Sequence, residues 1–319
     1  MLPWLLAVLG LVILLLAGDA LVRGAVNLSL RMGIPALIVS LTVVAFGTSA
    51  PELLISISAV LDGKPGLALG NVVGSNTANI LLVLGIPALL ATMHTSEHDS
   101  RKSYLTMIVA TLVFIGLAMR GTLDLMAGGI MLAMLALILA DQGRDVIRHK
   151  RDTESAACAL PEGEVEGADP AMRWWKVIMF LVIGLVGLPL GAQLLVTNAS
   201  IIARDFGISE TVIGLTLVAV GTSLPELATT VMAALRKQAD VALGNVIGSN
   251  MFNLLGIMGV TTLIGKVPVD VAELEFDFAV MLGSSLLLVP FVFFRRNITW
   301  PVGAILILLY ACYIGAVLI

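Results

Sequence analysis

GTSAPELLISISAV (residues 47–60) leads into ALGNVVGSNTANILLVLG (residues 68–85), and both stretches return as GTSLPELATTVMAAL (residues 221–235) and ALGNVIGSNMFNLLGIMG (residues 242–259). The copies align without gaps at a constant offset of 174 residues, with 19 of the 39 positions from 47 to 85 identical. Chance would give only a few matches, so the chain carries a duplicated unit. Each copy sets a Pro and a Glu inside an apolar stretch. The fold turns on where that stretch lies.

It lies in lipid. The chain has 319 residues, of which 59% are hydrophobic and 13% charged, and a mean hydropathy of +1.04. Soluble domains are less apolar and more charged. Apolar runs of about 17 to 25 residues, the length a bilayer core demands of a helix, recur throughout. The alternation of a β-barrel strand is absent, so the spans are helices that satisfy their own backbone groups. The first run lacks a basic leader and a cleavage site, and reads as a retained helix.

Ten spans are predicted, near residues 3–27, 34–60, 66–91, 103–119, 122–140, 174–203, 209–235, 240–264, 277–294 and 299–318. Residues 1–140 form the first five-helix repeat, with its duplicated core at about 35–86. Residues 174–319 form the second, with its core at about 209–260. The polar stretch 141–173 is too poor in apolar residues to form a core and reads as a linker. With alternate loops on alternate sides, fourteen basic residues fall on the linker's side. Lys64, Arg120, Arg204 and Lys266 alone fall on the other. By the positive-inside rule the linker is cytoplasmic and both termini are outside, in a plasma (prokaryotic inner) membrane. Five spans separate equivalent points of the copies, and an odd number inverts one relative to the other. The expected fold is therefore all-α, with two inverted repeats and interrupted helices around a midplane site. That is the plan of many secondary transporters.

Glu52 and Glu226 are the candidate centre, because an ionisable residue inside a span is costly and functional by default. Thr48 and Ser49, like Thr222 and Ser223, precede each Glu by four and three residues and share its helical face. Pro51 and Pro225 oppose a regular ladder, and Gly47 and Gly221 loosen the chain before them. A break there would free the carbonyls of Ala45 and Ala219 as further ligands. Downstream, Ser75 and Asn79 match Ser249 and Asn253, each an i,i+4 pair able to address one point. Asn71, Asn76, Asn245 and Asn250 can serve the site or brace nearby backbone. Gly70, Gly74, Gly244 and Gly248 allow close helix contact.

This is a set of hard oxygen donors carrying a charge of −2. It suits one Ca2+ or about two Na+ rather than a softer metal. Asp19, four residues before Arg23, reads as half of a local ion pair. Asp270, Glu273, Glu275 and Asp277 read first as a solvated loop, with concentration of cations as the second reading. Nothing points to an enzyme. His94, His98 and His149 fall in loops, and HExxH, Walker and GxGxxG motifs are absent. No organic cofactor and no nucleic-acid partner is expected; the partners are lipid and transported cations.

With these residues in view, the chain resembles the cation/calcium exchanger superfamily, and most closely the prokaryotic sodium/calcium exchangers. The resemblance rests on GTSAPEL…GNVVGSNTAN and GTSLPEL…GNVIGSNMFN. It implies exchange of Na+ for Ca2+ by alternating access, with H+ or K+ coupling as the alternative. It also implies an ion site formed by Thr48, Ser49, Glu52, Ser75 and Asn79 with Thr222, Ser223, Glu226, Ser249 and Asn253. Some such exchangers carry Asp where this chain has Asn253.

Overall fold

A computed structural model describes residues 2–94, 100–155, 169, 172–207 and 219–317. The helices are α1 (Leu2–Met32), α2 (Ala36–Thr48), α3 (Ala50–Leu61), α4 (Pro65–Leu90), α5 (Arg101–Ala118) and α6 (Leu125–Ser155). The second half adds α7 (Trp174–Asp205), α8 (Ala219–Thr222), α9 (Leu224–Leu235), α10 (Ala239–Ile264), α11 (Val271–Phe293) and α12 (Trp300–Val317). Among the described residues eight helices are individually long and apolar enough to span, and α2 with α3, bent by 42°, makes a ninth if taken as one span. The predicted span 209–235 is visible as α8 and α9; its first part lies outside the described residues. Helix α6 runs on to Ser155, into the stretch read as linker. Low apolarity there excludes membrane but not helix, since Arg, Lys, Gln and Glu are good helix formers.

Two short backbone pairings demonstrate the inversion. Thr122–Leu123 (β1) pairs antiparallel with Val267–Pro268 (β2), Leu123 opposite Val267. Met93 pairs antiparallel with Ile298, through N–H···O bonds of 2.9 and 3.0 Å. Val267 is the offset-174 equivalent of Met93. Helix α5 runs from the Met93–Ile298 pairing toward β1, whereas α11 runs from β2 toward Ile298. These equivalent helices are therefore antiparallel, and the two pairings clamp the repeats at opposite ends.

Helices α1 (31 residues) and α7 (32 residues) are roughly 46 to 48 Å long at 1.5 Å per residue, well beyond a ~30 Å core. They pack on each other through glycine. A Cβ on Gly10 would lie 2.6 Å from Leu195 N, one on Gly191 2.8 Å from Leu14 N, and one on Gly184 2.8 Å from Leu21 Cα. Without an aqueous driving force, such close backbone approach is what holds membrane helices together. Leu14, Leu21, Val44, Leu188 and Ala228 belong to an apolar cluster of their own. The larger core surrounds α4 and α10.

Candidate ion-binding site

The break between α2 and α3 falls at Ser49, with φ −82° and ψ 2°. Pro51 has no N–H to give Gly47 O, yet the ladder continues on both sides: Ser49 N–H donates to Ala45 O at 3.0 Å and Leu53 N–H to Ser49 O at 3.2 Å. Ser223 repeats the turn, with φ −88° and ψ 5°. Each break ends one helix and starts another, so Glu52 and Glu226 occupy the first turns of α3 and α9. The helix dipole favours a carboxylate there.

The Ala45 carbonyl is not freed as the sequence suggested. It already accepts from Ser49 N and from the Thr48 hydroxyl at 3.3 Å. In the second copy Ser223 N–H donates to Val220 O at 3.1 Å, one residue short of the position taken by Ala45. Gly47 also has a different role. It lies inside a helical turn, and a Cβ there would meet Leu185 Cδ2 of α7 at 1.9 Å. Gly221 makes the same room for Val196, at 2.5 Å. These glycines admit α7 rather than loosen the chain.

The repeats meet through polar side chains. Ser49 donates to Glu226 Oε1 at 3.2 Å, and Ser249 Oγ lies 3.5 Å from the same oxygen. The Thr48 hydroxyl is 3.3 Å from Ser249 Oγ and 3.2 Å from Asn245 Oδ1. Helix α10 can approach α2 this closely because of Gly244 and Gly248. Their Cβ atoms would lie 2.9 Å from Leu37 O and 2.7 Å from Leu41 O. Gly70 and Gly74 have no atom within 4 Å of such a Cβ; the offset equivalents of Leu37–Val44 are residues 211–218, outside the described residues.

Glu52 is 1% exposed and Glu226 0%. Among the described residues, both Glu52 oxygens, Glu226 Oε2, Asn79 Oδ1, Asn253 Oδ1 and Ser223 Oγ are buried without a hydrogen-bond partner. Buried acceptors in such number are costly unless something positive answers them. Carboxylate, amide and hydroxyl oxygens are the donor set of hard cations. Ser75 and Thr222 are buried as well, at 4% and 8% exposure. Thus Thr48, Ser49, Glu226 and Ser249 come into direct contact, and Glu52, Asn79, Ser223 and Asn253 contribute unpaired oxygens.

Of two further features, the first takes one of the readings the sequence left open for Asn71 and Asn245, and the second lay beyond the sequence reading. Asn71 Nδ2 donates to Glu52 O (3.3 Å) and Ser56 Oγ (3.1 Å), and Asn245 Nδ2 to Glu226 O (3.3 Å) and Thr230 Oγ1 (3.2 Å). These asparagines brace the backbone of each carboxylate residue. The matched positions Ser56 and Thr230, both hydroxylic, were the available signal. Second, Asp19 pairs with Arg23 at 3.0 Å, as its spacing suggested, and also with Arg236 at the end of α9. In the acidic stretch, Asp270 caps α11 by accepting from Ala272 N (3.1 Å) and Glu273 N (3.3 Å), while Asp277 accepts from Tyr313 OH (2.6 Å).

Inverted repeats, two interrupted helices and a buried oxygen cluster between them define a carrier for hard cations. A family profile described as "Sodium/calcium exchanger protein" matches residues 2–142 and 176–319, and the chain belongs to that family. It is 35% identical over 288 residues to the inner membrane protein YrbG of Escherichia coli, covering 88% of this chain and 86% of that one. Against the sodium/calcium exchanger MaX1 of Methanosarcina acetivorans, identity is 34% over 341 residues, with 98% and 97% covered. The fold matches a structure of the sodium-calcium exchanger NCX_Mj soaked with Na+ and Sr2+. The TM-score is 0.79 and the identity 31%, covering 99% of this chain and 98% of that one. The all-helical architecture in inverted repeats thus matches that of the exchanger over nearly the whole chain.

Proposed function

We propose that this protein is a secondary antiporter that exchanges Na+ for Ca2+ by alternating access through the Glu52–Glu226 cluster. The carrying observation is the unpaired, fully buried set of oxygens centred on two carboxylates from opposite repeats. Ligands are Thr48, Ser49, Glu52, Ser75, Asn79, Thr222, Ser223, Glu226, Ser249 and Asn253, with the Ala219 carbonyl as a further donor. A site of charge −2 takes Ca2+ or Na+ in turn. The joined pair α1–α7, packed through Gly10, Gly184 and Gly191, slides over the remaining helices to expose the site to one side and then the other. The same reading puts the linker in the cytoplasm and both termini outside, and no cofactor takes part.

The test is flux in proteoliposomes. Vesicles loaded with Na+ are expected to take up radiolabelled Ca2+, and a pH gradient alone is expected to drive none. Uptake driven by protons in the absence of Na+ would replace this reading with Ca2+/H+ antiport, and an absolute need for K+ would add a third ion.

The Asp19–Arg236 pair joins α1 to the end of α9. Its offset equivalents, Gln193 and Asp62, cannot form an ion pair, so this tie exists at one end of the molecule only. Arg236→Ala is expected to raise the apparent Ca2+ KM at one membrane face and lower it at the other, by roughly fivefold, the low end of ordinary coupling. Equal shifts at both faces would show that the pair stabilises the fold without discriminating between access states.

A further inference from the structure

The downstream asparagines do not form a symmetric set. Asn76, Asn79 and Asn250 are each 1% exposed, and Asn253 is 0% exposed. Asn250 Nδ2 donates to the backbone carbonyl of Asn76 at 3.3 Å. Asn79 Nδ2 donates to Asn250 Oδ1 at 3.0 Å. Among the described residues, Asn79 Oδ1 then remains buried with no partner.

A backbone carbonyl can only accept, and that fixes the direction of the chain. The Asn76 carbonyl requires the nitrogen end of Asn250, which turns the Asn250 oxygen toward Asn79. That oxygen in turn requires the nitrogen end of Asn79. The one orientation left for Asn79 points its oxygen away from Asn250. A primary amide turned the other way would offer a cation two N–H groups, which repel it.

We propose that Asn250 is a positioning residue: its amide, anchored on Asn76 O, locks Asn79 with the carbonyl oxygen presented to the transported ion. Among the described residues the equivalent Asn253 has no such lock, since both its Oδ1 and its Nδ2 lack a partner. The polarity of the ligand is therefore set on one repeat and left free to turn on the other. Spacing alone makes Asn79 and Asn253 interchangeable; the relay distinguishes them.

The inference rests on Asn79 being an ion ligand, so the experiment tests that first. In Na+-loaded proteoliposomes, Asn79→Ala is expected to raise the apparent Ca2+ KM; an unchanged KM removes Asn79 from the site and overturns both statements. Asn250→Leu is expected to raise KM about tenfold while keeping most of the maximal rate, the scale of losing one buried hydrogen-bond partner. A KM that stays put in Asn250→Leu when Asn79→Ala has raised it overturns the lock alone.

The decisive comparison is made in an Asn79→Asp background. A carboxylate has oxygen at both ends and needs no orienting partner, so adding Asn250→Leu to Asn79→Asp is expected to cause no further rise. A tenfold rise that persists there means that Asn250 acts through general packing, and the proposal falls. Should Asn250→Leu fail to purify as a monodisperse protein, Asn250→Asp serves instead. Like leucine it cannot donate to Asn76 O, so only its loss of the anchor is read. Its companion is Asn250→Ala, which removes both contacts. KM is expected to rise about tenfold in the alanine variant, and an unchanged KM there beside a raised KM in Asn79→Ala would overturn the lock.

Discussion

Glu226→Gln is expected to lower Ca2+ flux in proteoliposomes by about a hundredfold or more, with the protein still folded. Glutamine keeps an acceptor for the Ser49 and Ser249 hydroxyls, which contact Glu226 Oε1 at 3.2 and 3.5 Å. Local packing therefore survives the change. What is lost is one of the two negative charges that answer a divalent ion in a site shut off from water. Removing one partner of a buried charge cluster costs about 3–5 kcal/mol, and each 1.4 kcal/mol is a factor of ten. Glu52→Gln should match it. Among the described residues its two oxygens have no partner, so the substitution breaks no side-chain hydrogen bond seen there and a loss with the fold intact points to the ion. Size-exclusion profiles like that of wild type, together with flux at background, are the expected pair of results. Near wild-type exchange in both single variants would sink the assignment of the site.

The sequence carried the frame of this protein because a membrane imposes a simple rule on it. Helices must be about as long as the bilayer is thick. The Pro65–Leu90 and Ala239–Ile264 spans can therefore be read to within a residue or two. The constant offset then links every position in one core to its partner in the other. Periodicity placed Thr48, Ser49 and Glu52 on one face, and the structure keeps them beside Glu226 and Ser249.

Contacts between elements far apart in the chain were not legible. The approach of Arg236 to Asp19 spans 217 residues, and nothing in the local pattern around Asp19 predicts a partner beyond Arg23. Gly47 looked like part of the break because it stands four residues before Pro51. Its reason for being glycine is Leu185 on α7, which no motif discloses. The asymmetry between Asn79 and Asn253 was hidden for a related cause. A repeat in sequence suggests equal environments, whereas Asn79 Nδ2 donates to Asn250 Oδ1 and, among the described residues, Asn253 has no such partner. The helical continuation of α6 into the polar stretch was not legible for a simpler reason, since hydropathy reports on membrane and not on helix.

Gly248→Ala is expected to reduce Ca2+ transport efficiency about a hundredfold, the largest effect foreseen for any residue that supplies no ligand. The added methyl would lie 2.6 Å from Ala45 Cβ, 2.7 Å from Leu41 O and 2.9 Å from Leu41 Cα. Two of those three atoms are backbone, so rotating a side chain cannot relieve the contact and α10 must move away from α2. The displacement falls on the neighbouring residue, Ser249, whose hydroxyl stands 3.3 Å from Thr48. A shift of about 1 Å in positioned groups commonly costs two orders of magnitude in rate, while the overpacking itself costs about 1–3 kcal/mol of stability. Gly129→Ala is the matched control: that glycine is exposed on α6, and a Cβ there meets nothing within 4 Å. Alanine at 129 should leave transport unchanged and raise helix stability slightly. Adding Ala45→Gly to Gly248→Ala removes the 2.6 Å contact and leaves both backbone contacts, so recovery should be partial. Full recovery would mean that the backbones are not in contact through Gly248. No loss at all in Gly248→Ala would mean that the spacing of the two repeats does not set the geometry of the ion site.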